Sequence, residues 1–306
     1  MDGILPIWKT SGMTSHDCVM RLRRLLQTKK VGHTGTLDPG VEGVLPMCIG
    51  EATKIVPYLT DTTKTYIATI RLGMETDTED SHGQVINEEP VRNLPSKQAI
   101  EKVLQSFKGE ILQKPPMYSA VKVNGKKLYE YARENKPVKR PVRKINIHDV
   151  TLLSKKVNDP DSFTIKVVCG KGTYIRTLCV DIGKELGCYA HMSHLIRTQS
   201  GAFYKSQAVT LHQVEAAVNA NEQESLFFPL TSGISHLDML EVDEDTRTRV
   251  LHGQKLTKPN KILKTDPFRV MFQGTLLAIY KTHPEDKHTI KPARVFRSAG
   301  CVSYRR

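Results

Sequence analysis

The sequence predicts an α+β protein, with a larger domain of mixed helices and strands over residues 1–238 and a small, all-β domain over 239–306. Three observations lead there. Thr65 to Leu72 alternate, with Tyr66, Ala68, Ile70 and Leu72 on one side, which is the period of a strand. Ser96 to Phe107 instead places Ile100, Val103, Leu104 and Phe107 at helical spacing, with Gly109 just beyond as a stop. From about Met239 the texture changes to short strand-like segments split by Gly, Pro and Asn, among them Val270-Met271-Phe272 and Leu276-Leu277-Ala278-Ile279-Tyr280.

The other elements follow in order. Gly3 to Trp8 reads as a short strand. Thr14 or Ser15 caps a helix with Val19, Leu22 and Leu26 on one face, ending in Lys29-Lys30. A glycine-rich stretch, Val31 to Gly43, precedes the apolar run Val44 to Ile49. Met117 to Val123 is expected as a strand closed by the Asn124-Gly125 turn, and Lys126 to Asn135 as a basic helix. The prolines of the basic segment 137–144 keep it extended. Phe163 to Cys169 is a strand. After Gly170-Lys171-Gly172, Thr173 is expected to cap a helix that runs to Leu186 and stops at Gly187; Leu211 to Val218 is another short helix.

Composition narrows the partner. The 306 residues hold 45 Lys and Arg against 32 Asp and Glu, a formal net charge of +13. Residues 239–306 alone carry 14 Lys and Arg against 7 Asp and Glu, about half of that excess. Such a balance favours a polyanion, nucleic acid before membrane, because no basic amphipathic anchor helix is visible. No apolar run reaches the ~18 residues of a membrane span, and Met1-Asp2-Gly3 lacks the basic start of a signal peptide. A cytoplasmic protein is expected. Six scattered cysteines (Cys18, Cys48, Cys169, Cys179, Cys188, Cys301) form no CxxC pair. His191 and His194 form an HxxH pair without an acidic or thiol ligand at suitable spacing, so no metal site is expected.

The densest cluster of unusual residues is Gly32-His33-Thr34-Gly35-Thr36-Leu37-Asp38-Pro39-Gly40-Val41-Glu42-Gly43. It lacks the Gly-Lys-Ser/Thr of a P-loop and the spacing of a dinucleotide fingerprint. Its glycines let backbone approach a ligand closely, and Pro39 confines Asp38 to extended geometry. On pattern alone it is either a functional loop or a long surface turn. The segment GHTGTLDPGVEGVLP resembles the signature of the TruB family of tRNA pseudouridine synthases, whose catalytic aspartate falls on Asp38. The resemblance is collinear over roughly residues 3 to 215. Lys64-Thr65-Tyr66, Thr76-Asp77-Thr78-Glu79-Asp80, Pro116 to Lys122, Gly125 to Arg133, Lys171 to Thr177 and Gly187 to Arg197 resemble further family blocks. Trp8-Lys9-Thr10 departs from the family's Asp-Lys-Pro, Val41-Glu42 from its Ala-Thr, and Ser81-His82 from its small residue and acid.

The resemblance implies a catalytic domain on a mixed, mainly antiparallel sheet, then a PUA-like β-barrel that binds RNA. It implies isomerisation of uridine 55 in the tRNA T-loop to pseudouridine. That reaction breaks the C1′–N1 bond, turns the base and joins C1′ to C5, so no redox step occurs and no cofactor is expected. A carboxylate can capture the electron-poor sugar carbon, add to C6, or remove the C2′ proton; the residues leave these routes open. Arg176 is implied as the guanidinium that orients Asp38 and favours its charged form. Tyr66, a core tyrosine by pattern, becomes a platform for the flipped uracil, with Tyr174 and Leu195 lining the site. His33, by itself an ordinary loop histidine, becomes the wedge that fills the stack when the uridine flips. Lys122, Lys126, Lys127, Lys139, Arg140 and Arg143 are candidate phosphate contacts or solvated surface charges. A monomer acting on the tRNA T-arm is expected, without membrane or obligate protein partner. A guide-RNA-directed catalytic subunit and a non-catalytic RNA-binding or tRNA-folding factor are the rival readings.

Overall fold

The computed structural model describes residues 1–155, 161–259 and 263–296; Cys301, with the rest of 297–306 in the expected β-domain, lies outside the described residues. The N-terminal part is built on one sheet of nine strands among the described residues. In chain order these are β1 (Gly3–Lys9), β2 (Val31–His33), β3 (Glu42–Ile49), β4 (Lys64–Leu72), β5 (Gly109–Gln113), β6 (Arg143–Lys155), β7 (Ser162–Cys169), β8 (Ala190–Ser200) and β9 (Phe203–Tyr204). The main path runs β1-β3-β8-β4-β7-β6-β5, with β2 beside β3 and β9 beside β8. Within this sheet the one parallel strand pair among the described residues is β3 with β8, at Ile196↔Glu42 and Arg197↔Gly43. The sheet is therefore mixed and mainly antiparallel, as expected.

Helices α1 (Ser15–Leu25), α2 (Lys97–Ser106), α4 (Ile175–Glu185) and α5 (Leu211–Asn219) pack their buried residues into one core with this sheet, and a short α3 (Leu128–Arg133) follows residues 122–127. Thr14 starts α1 with a capping box: its side chain accepts from the Asp17 amide at 3.0 Å, and Asp17 accepts from the Thr14 amide at 2.8 Å. Cys18 and Leu22 of α1, Ile100 of α2 and Leu178 and Ile182 of α4 join Leu45, Ala68, Ile70, Ile165 and Val167 of the sheet in one core. The strands β1 and β3 are buried on both faces. Their residues Leu5, Ile7, Leu45 and Met47 belong to that core, whereas Ile4, Val44 and Cys48 belong to a second cluster behind the sheet. Double burial is why 44–49 reads as an unbroken apolar run.

The C-terminal sheet has the order β10-β12-β13-β14-β11, from β10 (Met239–Glu241), β11 (Leu256–Thr257), β12 (Phe268–Phe272), β13 (Thr275–Thr282) and β14 (Thr289–Val295). This five-stranded sheet, curled as a half-barrel, fits the PUA-like expectation. It is docked: Met271, Leu276, Ile279 and Phe296 complete the cluster of Ile4, Val44, Cys48 and Leu59.

Some local expectations need correction. Met117 to Ala120 is a bend, and only Lys122–Val123 is strand, paired with Lys126–Lys127 across the Asn124-Gly125 turn. The helix there starts at Leu128, not at Lys126. Thr173 does not cap α4; its hydroxyl donates back to the Gly170 carbonyl at 3.2 Å and Tyr174 occupies the cap position. No helix of the described residues is long and apolar enough to cross a membrane.

Candidate active site

Asp38 sits on the loop between β2 and β3, and that loop is fixed from several sides. The buried Ser15 hydroxyl, at the start of α1, accepts from the Leu37 amide at 2.9 Å and donates to the Leu37 carbonyl at 3.2 Å. Lys9, fully buried at the end of β1, donates to the Pro39 carbonyl at 3.2 Å and the Thr10 carbonyl at 3.0 Å. Burial pushes its ammonium below the ordinary lysine range. Thus Trp8-Lys9-Thr10, which departs from the family pattern on either side of the lysine, still anchors the loop that carries Asp38. At Gly43, with φ +135°, a Cβ would lie 2.2 Å from the Arg197 carbonyl, so only glycine permits β3 to meet β8 there.

The carboxylate has a matched partner. Arg176 Nε lies 3.0 Å from Asp38 Oδ2; the arginine side chain is 7% exposed and the aspartate 42%. The same guanidinium donates to the Thr78 carbonyl and to the Tyr118 carbonyl, each at 2.9 Å, and lies 3.9 Å from Asp80. One planar group thereby ties together the first turn of α4, the glycine loop and two further loops. Its place in a helix's first turn opposes the helix dipole, and the carboxylate compensates. Behind it stands Glu79, at φ +65°, which accepts from the Thr177 hydroxyl and lies 3.6 Å from Arg140. Burial raises the Glu79 carboxyl, against the Thr177 hydrogen bond and the Arg140 charge.

Asp38, Tyr66, Tyr174, Arg176 and Leu195 all line one cavity of about 480 Å³, so the set expected at the reaction centre is brought together. Tyr66 on β4 is half-buried in its wall, and Leu195 is 7% exposed. Gln113 of β5 brackets the Tyr174 backbone, accepting from its amide at 2.8 Å and donating to its carbonyl at 3.0 Å. A neighbouring hollow of about 720 Å³ shares Asp38, Tyr118, Tyr129, Arg176 and Leu195 with it and extends past Pro39, Gly40 and His82. The His82 ring lies over Gly40, where a Cβ would stand 2.4 Å from it.

The residues assigned to RNA lie outside the 480 Å³ cavity wall. His33 is half-buried at the end of β2, and its Nδ1 accepts from the Gly35 amide at 3.4 Å. Burial, then the Arg197 charge, holds that ring below the ordinary histidine range, hence neutral near pH 7. Lys122, Lys139 and Arg143 are exposed. Lys126 is paired with Glu134 and lies 5.1 Å from the Tyr131 ring; Lys127 lies 5.3 Å from the Tyr129 ring. Arg140 turns inward to Glu79 and donates to the Pro115 carbonyl at 3.0 Å, so it serves the internal framework. His191 is buried with Nδ1 3.0 Å from the Met74 carbonyl, whereas His194 is exposed.

Several cavity residues escaped the sequence reading, among them Lys64, Tyr118, Tyr129 and Arg197. Arg197 was the most legible of them. It lies two residues after Leu195, and a strand places such a pair on one face. Its charge hides that alternation, because an arginine on a strand reads as solvent-facing.

An aspartate held by a buried arginine thus stands in a cleft walled by Tyr66, Tyr118, Tyr129 and Tyr174. Two family models match this chain: the TruB family pseudouridylate synthase N-terminal domain over residues 23–175, and the tRNA pseudouridylate synthase B C-terminal domain over 176–240. The tRNA pseudouridine synthase B of Oceanobacillus iheyensis is 57% identical over 97% of this chain and 98% of that protein. That of Bacillus subtilis is 49% identical over 96% and 97%. A solved Cbf5-Nop10-Gar1 complex contains a chain that matches with TM-score 0.74 and 28% identity, over 96% of this chain and 83% of that one. The chain belongs to the TruB family of pseudouridine synthases, and is thereby an isomerase.

Proposed function

We propose that this protein converts uridine 55 in the T-loop of tRNA to pseudouridine, flipping the base and cleaving and re-forming the glycosidic bond with Asp38. The observation that carries this reading is the Arg176–Asp38 pair at 3.0 Å in a cavity of about 480 Å³, large enough for a nucleobase. Relatives named tRNA pseudouridine synthase B, alike over nearly their whole length, support tRNA as the substrate. Their identities of 49–57% against 28% for the Cbf5 chain favour bare tRNA over a guide-RNA assembly.

In this reading Arg176 keeps the carboxylate aimed at the sugar, and Tyr66 and Leu195 sandwich the uracil. Tyr174 closes the wall, and His33 fills the stack left by the flipped base at a cost of a few kcal/mol. Residues 239–306 form the PUA-like RNA-binding domain behind a catalytic domain of residues 1–238. They hold the tRNA with Lys122, Lys126, Lys127 and Arg143, without cofactor or metal. The protein acts as a monomer in the cytoplasm.

The test uses two unmodified tRNA transcripts, one with uridine and one with cytidine at position 55, and maps pseudouridine by mass spectrometry. One pseudouridine at position 55 of the first and none in the second is expected. Modification at another uridine, or dependence on an added guide RNA, overturns the assignment.

A further inference from the structure

The hollow of about 720 Å³ beside the cavity has a balanced set of fixed charges. Asp38 from the glycine loop and Asp80 from the loop of residues 77–83 stand against Arg133 of α3 and Arg176 of α4. Asp77, on the same loop as Asp80, is engaged with the Gln84 amide, from which it accepts at 2.8 Å. The net charge of the wall is therefore set by its two histidines, His82 and His194. Position 82 is one of those where the chain departs from the family, with a histidine in place of the acid.

His82 is held at a defined place in that wall. Its amide donates to Asp80 Oδ1 at 2.9 Å, and its ring Nδ1 lies 3.5 Å from the same oxygen. The Thr78 hydroxyl fixes this oxygen in turn, donating to it at 2.8 Å. From there the ring extends over Gly40, two residues past Asp38, where the missing side chain leaves it room. The side chain is 73% exposed, and Nε2 has no hydrogen-bond partner among the described residues. A nucleoside seated in the cavity stays joined to its strand through phosphates on either side of the sugar. We infer that, with tRNA as the substrate proposed above, the hollow takes the strand where it leaves the flipped uridine, and that protonated His82 donates from Nε2 to a phosphate there. Histidine changes charge between about pH 5 and 8, so this contact couples RNA binding to a proton. A phosphate binds the imidazolium better than the neutral ring, so binding takes up a proton. The affinity gained is present at low pH and lost as pH rises. An acid at position 82 would instead repel the same phosphate across this range.

The test is the affinity of wild type, His82→Gln and His194→Gln for a T-arm hairpin that already carries pseudouridine at position 55, so that no turnover intervenes. Filter binding is run from about pH 5.5 to about pH 8 at constant ionic strength. The Kd of His82→Gln relative to wild type is expected to be near unity at the alkaline end and to climb to about three- to tenfold at the acid end. At the acid end His82→Gln is also expected to lower the salt slope by about 0.7, the share of one single-strand phosphate, with no difference at the alkaline end. A relative Kd that stays flat with pH overturns the inference. So does a pH dependence that vanishes with His194→Gln and persists with His82→Gln. A relative Kd that climbs without any change of salt slope overturns it too, because the ring then meets an uncharged group of the RNA. A wild type that binds no hairpin at any pH removes the tRNA reading itself, whereas binding that is indifferent to His82 removes this contact alone.

Discussion

The two cavity arginines divide the work by what each one touches. Arg176 meets a charge, and its other donors fill backbone carbonyls from two loops, so its geometry is over-determined. Arg176→Lys keeps the positive charge but cannot reach Asp38, Thr78 and Tyr118 together. We expect kcat to fall by about 100-fold with KM changed far less, since the RNA contacts proposed above lie outside this cavity; steady-state kinetics on tRNA checks this, and an unchanged kcat would contradict it. Asp38 and Arg176 were legible through the family resemblance of the segments that carry them; on pattern alone Asp38 was a loop aspartate held extended by Pro39, and Arg176 an unremarkable arginine at a helix start. Arg197 and Lys64 were not, because a buried cation on a strand looks like a solvated one until its partners are known. The same ambiguity misread Arg140, which a proline-broken basic run presents as a surface charge and the fold turns inward to Glu79.

At the scale of elements, β3 and β8 approach so closely in parallel that Gly43 has no room for a side chain. Gly43→Ala should destabilise the protein by about 2–4 kcal/mol, from backbone strain and the clash with the Arg197 carbonyl. Thr14→Ala should cost about 1 kcal/mol through the lost capping box, with catalysis unaffected. Urea unfolding of both variants measures the contrast, and equal losses would refute it. Strands such as β4 and β7, and the capped helices α1, α2 and α5, could be read because local period and cap agree with the final fold. Met117 to Ala120 misled because the segment bends so that its Tyr118 carbonyl accepts from Arg176 rather than pairing in a sheet. The Thr173 cap failed for a similar local reason: its hydroxyl satisfies the preceding turn instead.

For the whole molecule, charge and burial make separate demands. Lys122, Lys139 and Arg143 are exposed and without an ion pair among the described residues, whereas Lys126 and Lys127 are engaged by Glu134 and by tyrosines. Neutralising the first three should flatten the salt dependence of tRNA binding by about one unit of slope per phosphate lost. Neutralising Lys126 and Lys127 should change it less. Filter binding across a salt series separates the two outcomes. Stability should also fall in alkali. Burial pushes Cys48 and Tyr280 up to about 12 and Cys169 up to about 11. Folded-state values above the unfolded ones mean that this stability is complete below about pH 9 and is lost as pH rises toward 11–12. Lys64, lowered to about 8 by burial, works the other way and regains stability between about pH 8 and 10.5. Urea midpoints should therefore decline between pH 9 and 11, the buried acids outnumbering the buried amines Lys9 and Lys64; a flat profile would contradict these burials. The docked C-terminal sheet was expected as a separate unit, since a change of texture marks a boundary but not the apolar face that closes it.

The most direct test of the account is tritium release from unmodified tRNA carrying 5-tritiated uridine, comparing the wild-type chain with Asp38→Asn. Forming the new bond at C5 must expel that tritium. The account predicts about one equivalent released by the wild type and none by the variant, with tRNA still bound by both. Binding without release by the wild type, or undiminished release by Asp38→Asn, would contradict it.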